Sequence, residues 1–437
     1  MSSRTAAGTR PARPPVPEVA RRARVAVAVL FFTNGALFAN LLPRYPEIKA
    51  GLDLSNGSFG AAVAAFPLGA LVAGLSAGAL IRRFGSARVA VVATLVATIG
   101  FVGAGAASVW AVLAAALFVA GAMDAITDVA QNSHGLRVQR LYGRSILNSF
   151  HAVWSMGAVI GGIMGAALAE AGLSTTAHMV VSSVVFGIAA LLAYRWLLRG
   201  PEPGPEPDEE VAADAAAVGA LEPTADQQPR TASRVSPSFV LRWGTLLALT
   251  VIAASGGIVE DAGSSWAAIY LSGTFESTAF VASLGFIALQ GMQFVGRLLG
   301  DGLVDRFGQR AVARSGGAIV LVGTGAALAW PTTVGTIVGF GLAGFGVATL
   351  IPAAMDAADR LPGFAPGTGL TIVTWLLRLG FLASPPVVGA VADASSLRVG
   401  LLVLPLSGLF VVVFAQVLST RRRTTEGASA TDDTPRD

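Results

Sequence analysis

Twelve stretches of this chain are apolar, nearly free of charge and about as long as a membrane is thick. A helix rises 1.5 Å per residue, so about 20 apolar residues cross the hydrocarbon core of a bilayer. The runs 25–42 and 59–81 have that length. The run 89–123 is too long for one crossing and holds a turn-like stretch, Gly103-Ala-Gly-Ala-Ala-Ser108, so it reads as two spans. Runs 152–169 and 172–194 follow, then 243–270 and 277–302. The run 315–355 is broken at Trp330-Pro-Thr-Thr333 into two more, and 368–392 and 399–419 complete the set. The first run is preceded by basic residues but is too long for a signal peptide and lacks a small-residue cleavage site, so it is expected to stay.

Composition narrows the classes. Only 13% of residues are charged, against about 25% in soluble domains, whose wet surface needs them. There is no cysteine, which removes disulfides, thiolate catalysis and cysteine-bound metals. His134, His151 and His178 lie too far apart for metal-ligand spacing, so no metal and no cofactor are expected. The basic residues flank apolar runs rather than forming one patch, which argues against nucleic acid. No catalytic constellation and no Gly-x-x-x-x-Gly-Lys-Ser/Thr loop is present, so neither an enzyme nor an ATPase is indicated.

Arginine sets the orientation. An even number of spans puts both termini on one side. With the termini cytoplasmic, only Arg44, Lys49 and Arg398 fall in outer loops, while nearly all other basic residues fall in inner ones, as the positive-inside rule requires. The expected location is the cell inner membrane.

Residues 199–238 interrupt the pattern with seven prolines around an acidic run, Asp208-Glu-Glu210; Pro201 and Pro237 mark their ends. Such a segment buries too little apolar surface to offset chain entropy and reads as a disordered cytoplasmic linker. Residues 1–24 and 420–437 read as disordered cytoplasmic tails. The linker leaves one six-span unit at 25–198 and another at 239–419. The two resemble each other: Arg83-Phe-Gly85 follows the second span, and Arg306-Phe-Gly308 follows the eighth, which is the second span of its own unit. The expected fold is therefore an all-α membrane protein of twelve transmembrane helices in two pseudo-symmetric six-helix bundles.

These loops resemble the signature of the major facilitator superfamily, roughly Gly-x-Leu-x-Asp-Arg-x-Gly-Arg-Arg. The first reads Gly78-Ala-Leu80-Ile-Arg82-Arg83-Phe-Gly85-Ser-Ala-Arg88, with Arg82 in place of the Asp. The second, Leu303-Val-Asp305-Arg306-Phe-Gly308-Gln-Arg310, keeps it. The resemblance implies a transporter working by alternating access and gives Gly78, Arg83, Gly85, Asp305, Arg306 and Gly308 a place in its cytoplasmic gate. An ordinary basic turn is the other reading of the same residues. Asn34-Gly35, Asp128-Val-Ala-Gln-Asn132, Ser149-Phe-His151-Ala-Val-Trp-Ser155, Glu260 with Trp266, and Pro385-Pro386 resemble a branch near the fucose–proton symporters. That likeness suggests sugar uptake. The expected partners are a small-molecule substrate, a sugar or an organic anion, and protons as coupling ion, with the chain a monomer in the bilayer. Efflux in the same fold stays open, as does a membrane sensor or scaffold that transports nothing.

Ionisable residues within spans need a reason, because each costs about 2.5–3.5 kcal/mol on insertion scales. Glu260 and Asp261 follow Gly256-Gly257, a pair that could loosen the helix. They are candidate proton carriers, or else one is salt-bridged or faces outer water. Asp124, Asp128 and Asn132 share one helix face at i, i+4, i+8. Asp124 and Asp128 are further proton candidates, and Asn132 with His151 could gate the inner rim; His151 could equally be a structural hydrogen-bonding group. Arg378 could hold an anionic substrate or pair with Glu260 or Asp261. Arg297 and Asp301, at i, i+4, are expected to pair with each other near the gate. Asn34, Gln290, Gln293 and Trp266 are substrate-binding candidates; the amides among them, like Asn40, could instead join helices.

Overall fold

The computed structural model describes residues 16–143, 146–200, 239–365 and 367–420. Its long elements are twelve helices with the length and hydropathy to cross a membrane: α1 (Glu18–Gly51), α2 (Asn56–Gly74), α3 (Ser86–Gly105), α4 (Trp110–Tyr142), α5 (Ser149–Glu170), α6 (Thr175–Tyr194), α7 (Phe239–Phe275), α8 (Ala279–Phe307), α9 (Gln309–Ala329), α10 (Thr333–Asp359), α11 (Thr368–Ala394) and α12 (Leu397–Val417). The breaks expected near residues 103–108 and 330–333 separate α3 from α4 and α9 from α10. A short helix, Ala77–Phe84, prolongs α2. Leu75, Ile99, Val184, Leu247 and Val322 point apolar side chains outward, as a lipid-facing surface does.

Local chemistry explains the ends. Ser55, Ser174, Thr278, Thr332 and Ser396 cap the starts of α2, α6, α8, α10 and α12, each accepting from an amide that has no partner within its helix. All five lie at the end of the bundle away from the termini. Toward the termini, Gly85 (φ 83°) and Gly308 (φ 84°) make the turns into α3 and α9, a conformation open to glycine because it has no Cβ.

The main helix pairings recur in both halves, except that α7 also packs on α8 whereas α1 and α2 lie farther apart. In the first, α1 packs on α4, α5 and α6, α2 on α4, and α3 on α4 and α6. In the second, α7 packs on α10, α11 and α12, α8 on α10, and α9 on α10 and α12. The halves meet through α2 against α11 and α5 against α8. Small residues set the closeness: a Cβ on Gly35 would stand 2.3 Å from Trp154 O, one on Gly157 2.3 Å from Phe32 O, and one on Gly161 2.5 Å from Ala36 O. The backbones of α1 and α5 therefore touch.

Contact between the halves is concentrated at the end away from the termini. There, apolar residues of both halves form one continuous cluster, including Leu42, Phe59, Trp266 and Phe286. Toward the termini, the first half keeps a core of its own around Leu30, Phe31 and Phe150.

Two expectations change. Helix α1 begins at Glu18, within the stretch 1–24 read as a tail, because Pro17 precedes it and Arg22 pairs with Glu18 one turn away. Gly256-Gly257 does not loosen α7, which runs unbroken from Phe239 to Phe275. The glycines make room instead: a Cβ on Gly257 would come within 2.7 Å of Leu377 on α11. The proposed linker at 199–238 and the tail at 420–437 lie almost wholly outside the described residues.

Candidate functional site

Between the halves lies a cavity of about 350 Å³. Its wall takes residues from α1, α2, α4 and α5 of the first half and α7, α8 and α11 of the second. Most of it is apolar and aromatic, with Phe38, Phe66, Trp154 and Phe381 among the lining residues. Into this wall are set Asp124, Asp128, Glu260 and Asp261, with Gln290 and Arg378. A pocket of that size with a few convergent polar groups is what a small-molecule site requires.

Each acid is held differently. Asp124 Oδ1 accepts a hydrogen bond from Asn34 Nδ2 at 2.7 Å, and Asn34 Oδ1 accepts one from Trp154 Nε1 at 2.7 Å. Asn34 thus spends both ends of its amide orienting Asp124. Asp128 Oδ1 accepts from Asn132 Nδ2 at 2.9 Å, one turn toward the termini. Glu260 Oε2 accepts from Gln293 Nε2 at 2.8 Å and lies 3.6 Å from Arg297 Nη2. Asp261 Oδ2 is buried and has no hydrogen-bond partner among the described residues.

Arg378, on α11, lines the same cavity. Its guanidinium reaches toward α2 of the other half, where a Cβ on Gly74 would be 3.4 Å from Nη1. The side chain is exposed, and among the described residues it makes no ion pair. The alternative in which Arg378 serves Glu260 is set aside, because Glu260 already has Arg297. For the same reason Arg297 does not pair with Asp301, which stays exposed. The i, i+4 spacing permitted that pair, but a half-buried carboxylate on the facing helix is the stronger attractor for a guanidinium.

Trp266 is displaced from its expected role. It is fully buried, absent from the cavity wall, and packed edge-on against Phe59 of the first half with ring centroids 5.8 Å apart. It closes the end away from the termini. His151 is exposed and lies edge-on to Phe31 at 5.2 Å, whereas Asn132 reaches Asp128 directly. Of the binding candidates, Gln290 and Arg378 line the cavity; Asn34 and Gln293 stand behind it, positioning acids.

The paired loops near the termini match in detail. Gly85 N donates to Ile81 O and Gly308 N to Val304 O, both at 2.8 Å. Arg83 lies over the Phe84 ring at 5.4 Å and Arg306 over Phe307 at 5.2 Å. Gly78 sits in the short helix before the first loop. Asp305 and Arg306 are exposed beside the second.

A buried polar group outside the cavity escaped the sequence reading. Arg44, only 2% exposed, donates from Nε to His178 Nδ1 at 3.0 Å and from Nη1 to Glu47 Oε2 at 2.7 Å. His178 Nε2 is 2.8 Å from Asn40 Oδ1, and Asn40 Nδ2 donates to Ala36 O at 2.8 Å. The aromatic cavity lining was missed as well, because in sequence it looks like any helix core.

Comparison with known proteins agrees with this geometry. The family model described as Major Facilitator Superfamily matches residues 27–362. An "Uncharacterized transporter y4wD" of Sinorhizobium fredii is 29% identical over 399 residues, which cover 90% of this chain and 97% of that one. A bacterial homologue of the human lysosomal transporter Spinster, solved inward-facing and unoccupied, superposes with a TM-score of 0.67 at 13% identity, covering 92% of this chain and 98% of the other. A D-xylose–proton symporter superposes with a TM-score of 0.63 at 16% identity, covering 91% and 96%.

Proposed function

The chain belongs to the major facilitator superfamily, and from that premise we propose that this secondary transporter couples the movement of a small polar solute to protons. The supporting observation is the cavity between the halves, whose wall carries four carboxyl groups and a guanidinium that makes no ion pair among the described residues. Arginine binds a carboxylate or phosphate bidentately, so Arg378 is the residue for an anionic group of the solute. Gln290 and the aromatic wall hold the remainder.

Asp261 is the first proton carrier. No amide or guanidinium among the described residues ties down its Oδ2, and the neighbouring Ser384 hydroxyl can turn to accept or donate, so a proton arriving through the cavity displaces no fixed donor there. Asp124, aimed by Asn34 and Trp154, is the second. Glu260 is tethered by Gln293 and Arg297 and takes a positioning role. With the termini in the cytoplasm, the orientation the positive-inside bias favours, the end where the halves make less contact is cytoplasmic and the form is inward-facing. Asn132, His151 and the two Arg-Phe-Gly loops then line the inner gate, and the chain works as a monomer. A sugar is the second reading, favoured by the likeness of Asn34-Gly35 and the Ser149–Ser155 stretch to the fucose–proton symporter branch. A proton-driven efflux pump of the same fold would use the same groups in the opposite direction.

The test is uptake into proteoliposomes with an imposed pH gradient, screening organic anions, sugars and drugs. Uptake should follow the gradient, and Asp261→Asn should abolish that dependence. Arg378→Leu should raise KM for anions about tenfold to a hundredfold, the worth of one charged hydrogen-bonded pair, and leave neutral solutes alone. Transport indifferent to both the gradient and Asp261→Asn would sink the proton coupling.

A further inference from the structure

We propose that Glu170 and Asp393 are a matched pair of latches holding the two halves together at the end away from the termini. The two acids are separated along the chain by the same offset that relates Gly85 to Gly308. Each closes its own half's α5 or α11, and each reaches across to the other half. Asp393 Oδ1 accepts from Asn56 N at 2.8 Å and Oδ2 from Gly57 N at 2.7 Å, at the start of α2. Glu170 Oε2 accepts from Phe280 N at 3.0 Å, at the start of α8. Gly57 and Phe280 are themselves related by that offset.

The local caps fit this division. Ser55 Oγ accepts from Ser58 N, and Thr278 Oγ1 from Val281 N. Each helix thus satisfies its third amide with its own cap and leaves earlier ones to the visiting carboxylate. A helix start bears partial positive charge from these amides, and a carboxylate there is favoured. Gly57 also lacks the Cβ that would stand 2.9 Å from Asp393 Oδ2.

Parting the halves at this end must pull both carboxylates off their amides. Both sites are exposed, so water replaces the lost bonds and the latch is reversible. Each half gives one acid and receives one, so the seal opens evenly when both release and tilts when one does. The latches are positioning residues: they touch no solute and set how often this end opens.

The chain has no cysteine, so spin labels can be placed without background. Ala50→Cys with Thr274→Cys spans the seal from one half to the other; Ala50→Cys with Ala106→Cys stays within the first half as a control. Pulsed electron-resonance distances in the full chain, in lipid nanodiscs, should show mainly a short separation across the seal. Replacing one acid, Asp393→Ala or Glu170→Ala, should lower the closed-to-open ratio about threefold to tenfold, the range for losing a helix cap. Replacing both should lower it further, and Asp393→Asn, which keeps an acceptor without charge, should fall between. An unchanged ratio with both acids gone would overturn the latch. So would a control distance that shifts as much as the spanning one, since that would mean a loosened fold rather than an opened seal.

Discussion

The two halves share a scaffold and differ in where they spend polarity. At the end away from the termini, the first half buries Arg44, His178 and Asn40 in a hydrogen-bonded group. The second half packs buried apolar residues there, Trp266, Leu289 and Phe340 among them. The internal repeat sets Gly263 against Asn40 and Ala267 against Arg44. The cavity acids are also unevenly placed, on α4 in the first half and α7 in the second. Pairing geometry survives this divergence because it depends on small residues and caps. Polar decoration can move because each buried group needs only its own partners.

The comparison can be broken at three points. The largest effect is expected from Trp266→Ala, which removes a fully buried indole from the apolar side; it should cost about 3–5 kcal/mol, seen as a fall of the apparent Tm in detergent. If the polar side carries equal weight, His178→Ala would match that loss. We expect less, about 1–3 kcal/mol, because it leaves Arg44 Nε without its partner, while Asn40 Oδ1 keeps Ser182 Oγ at 3.3 Å. The smallest effect concerns the loops. Arg82 and Asp305 occupy corresponding places near helix C-termini, where a cation is favoured and an anion is not. Asp305→Arg would make the second loop like the first and should raise stability by about 0.3–1 kcal/mol. A drop of similar size would show that Asp305 has a partner-dependent role the dipole argument omits.

Much of this architecture was legible in the residues. Span number, the breaks near 103–108 and 330–333, and the repeat all follow from run length and the placement of glycine and proline, which are local properties. The cavity acids were legible because a carboxyl in a span is costly wherever it occurs. Partner choice was not. Arg297 has Asp301 one turn away, yet it turns to Glu260 on another helix, and only the packed bundle reveals that the two are near. Trp266 and Gly256-Gly257 misled for a related reason: a residue type shows what a side chain can do, while the facing helix decides which use is made of it. Glu170 and Asp393 look like loop acids one at a time. The offset that matched the Arg-Phe-Gly loops would have matched them too.

The glycines at 35, 157 and 161 leave α1 and α5 no gap in which to slide past each other. A push on the cavity wall at Trp154 or Phe38 is therefore not absorbed locally by those two helices. It travels along them as along one stiff rod to the far rim.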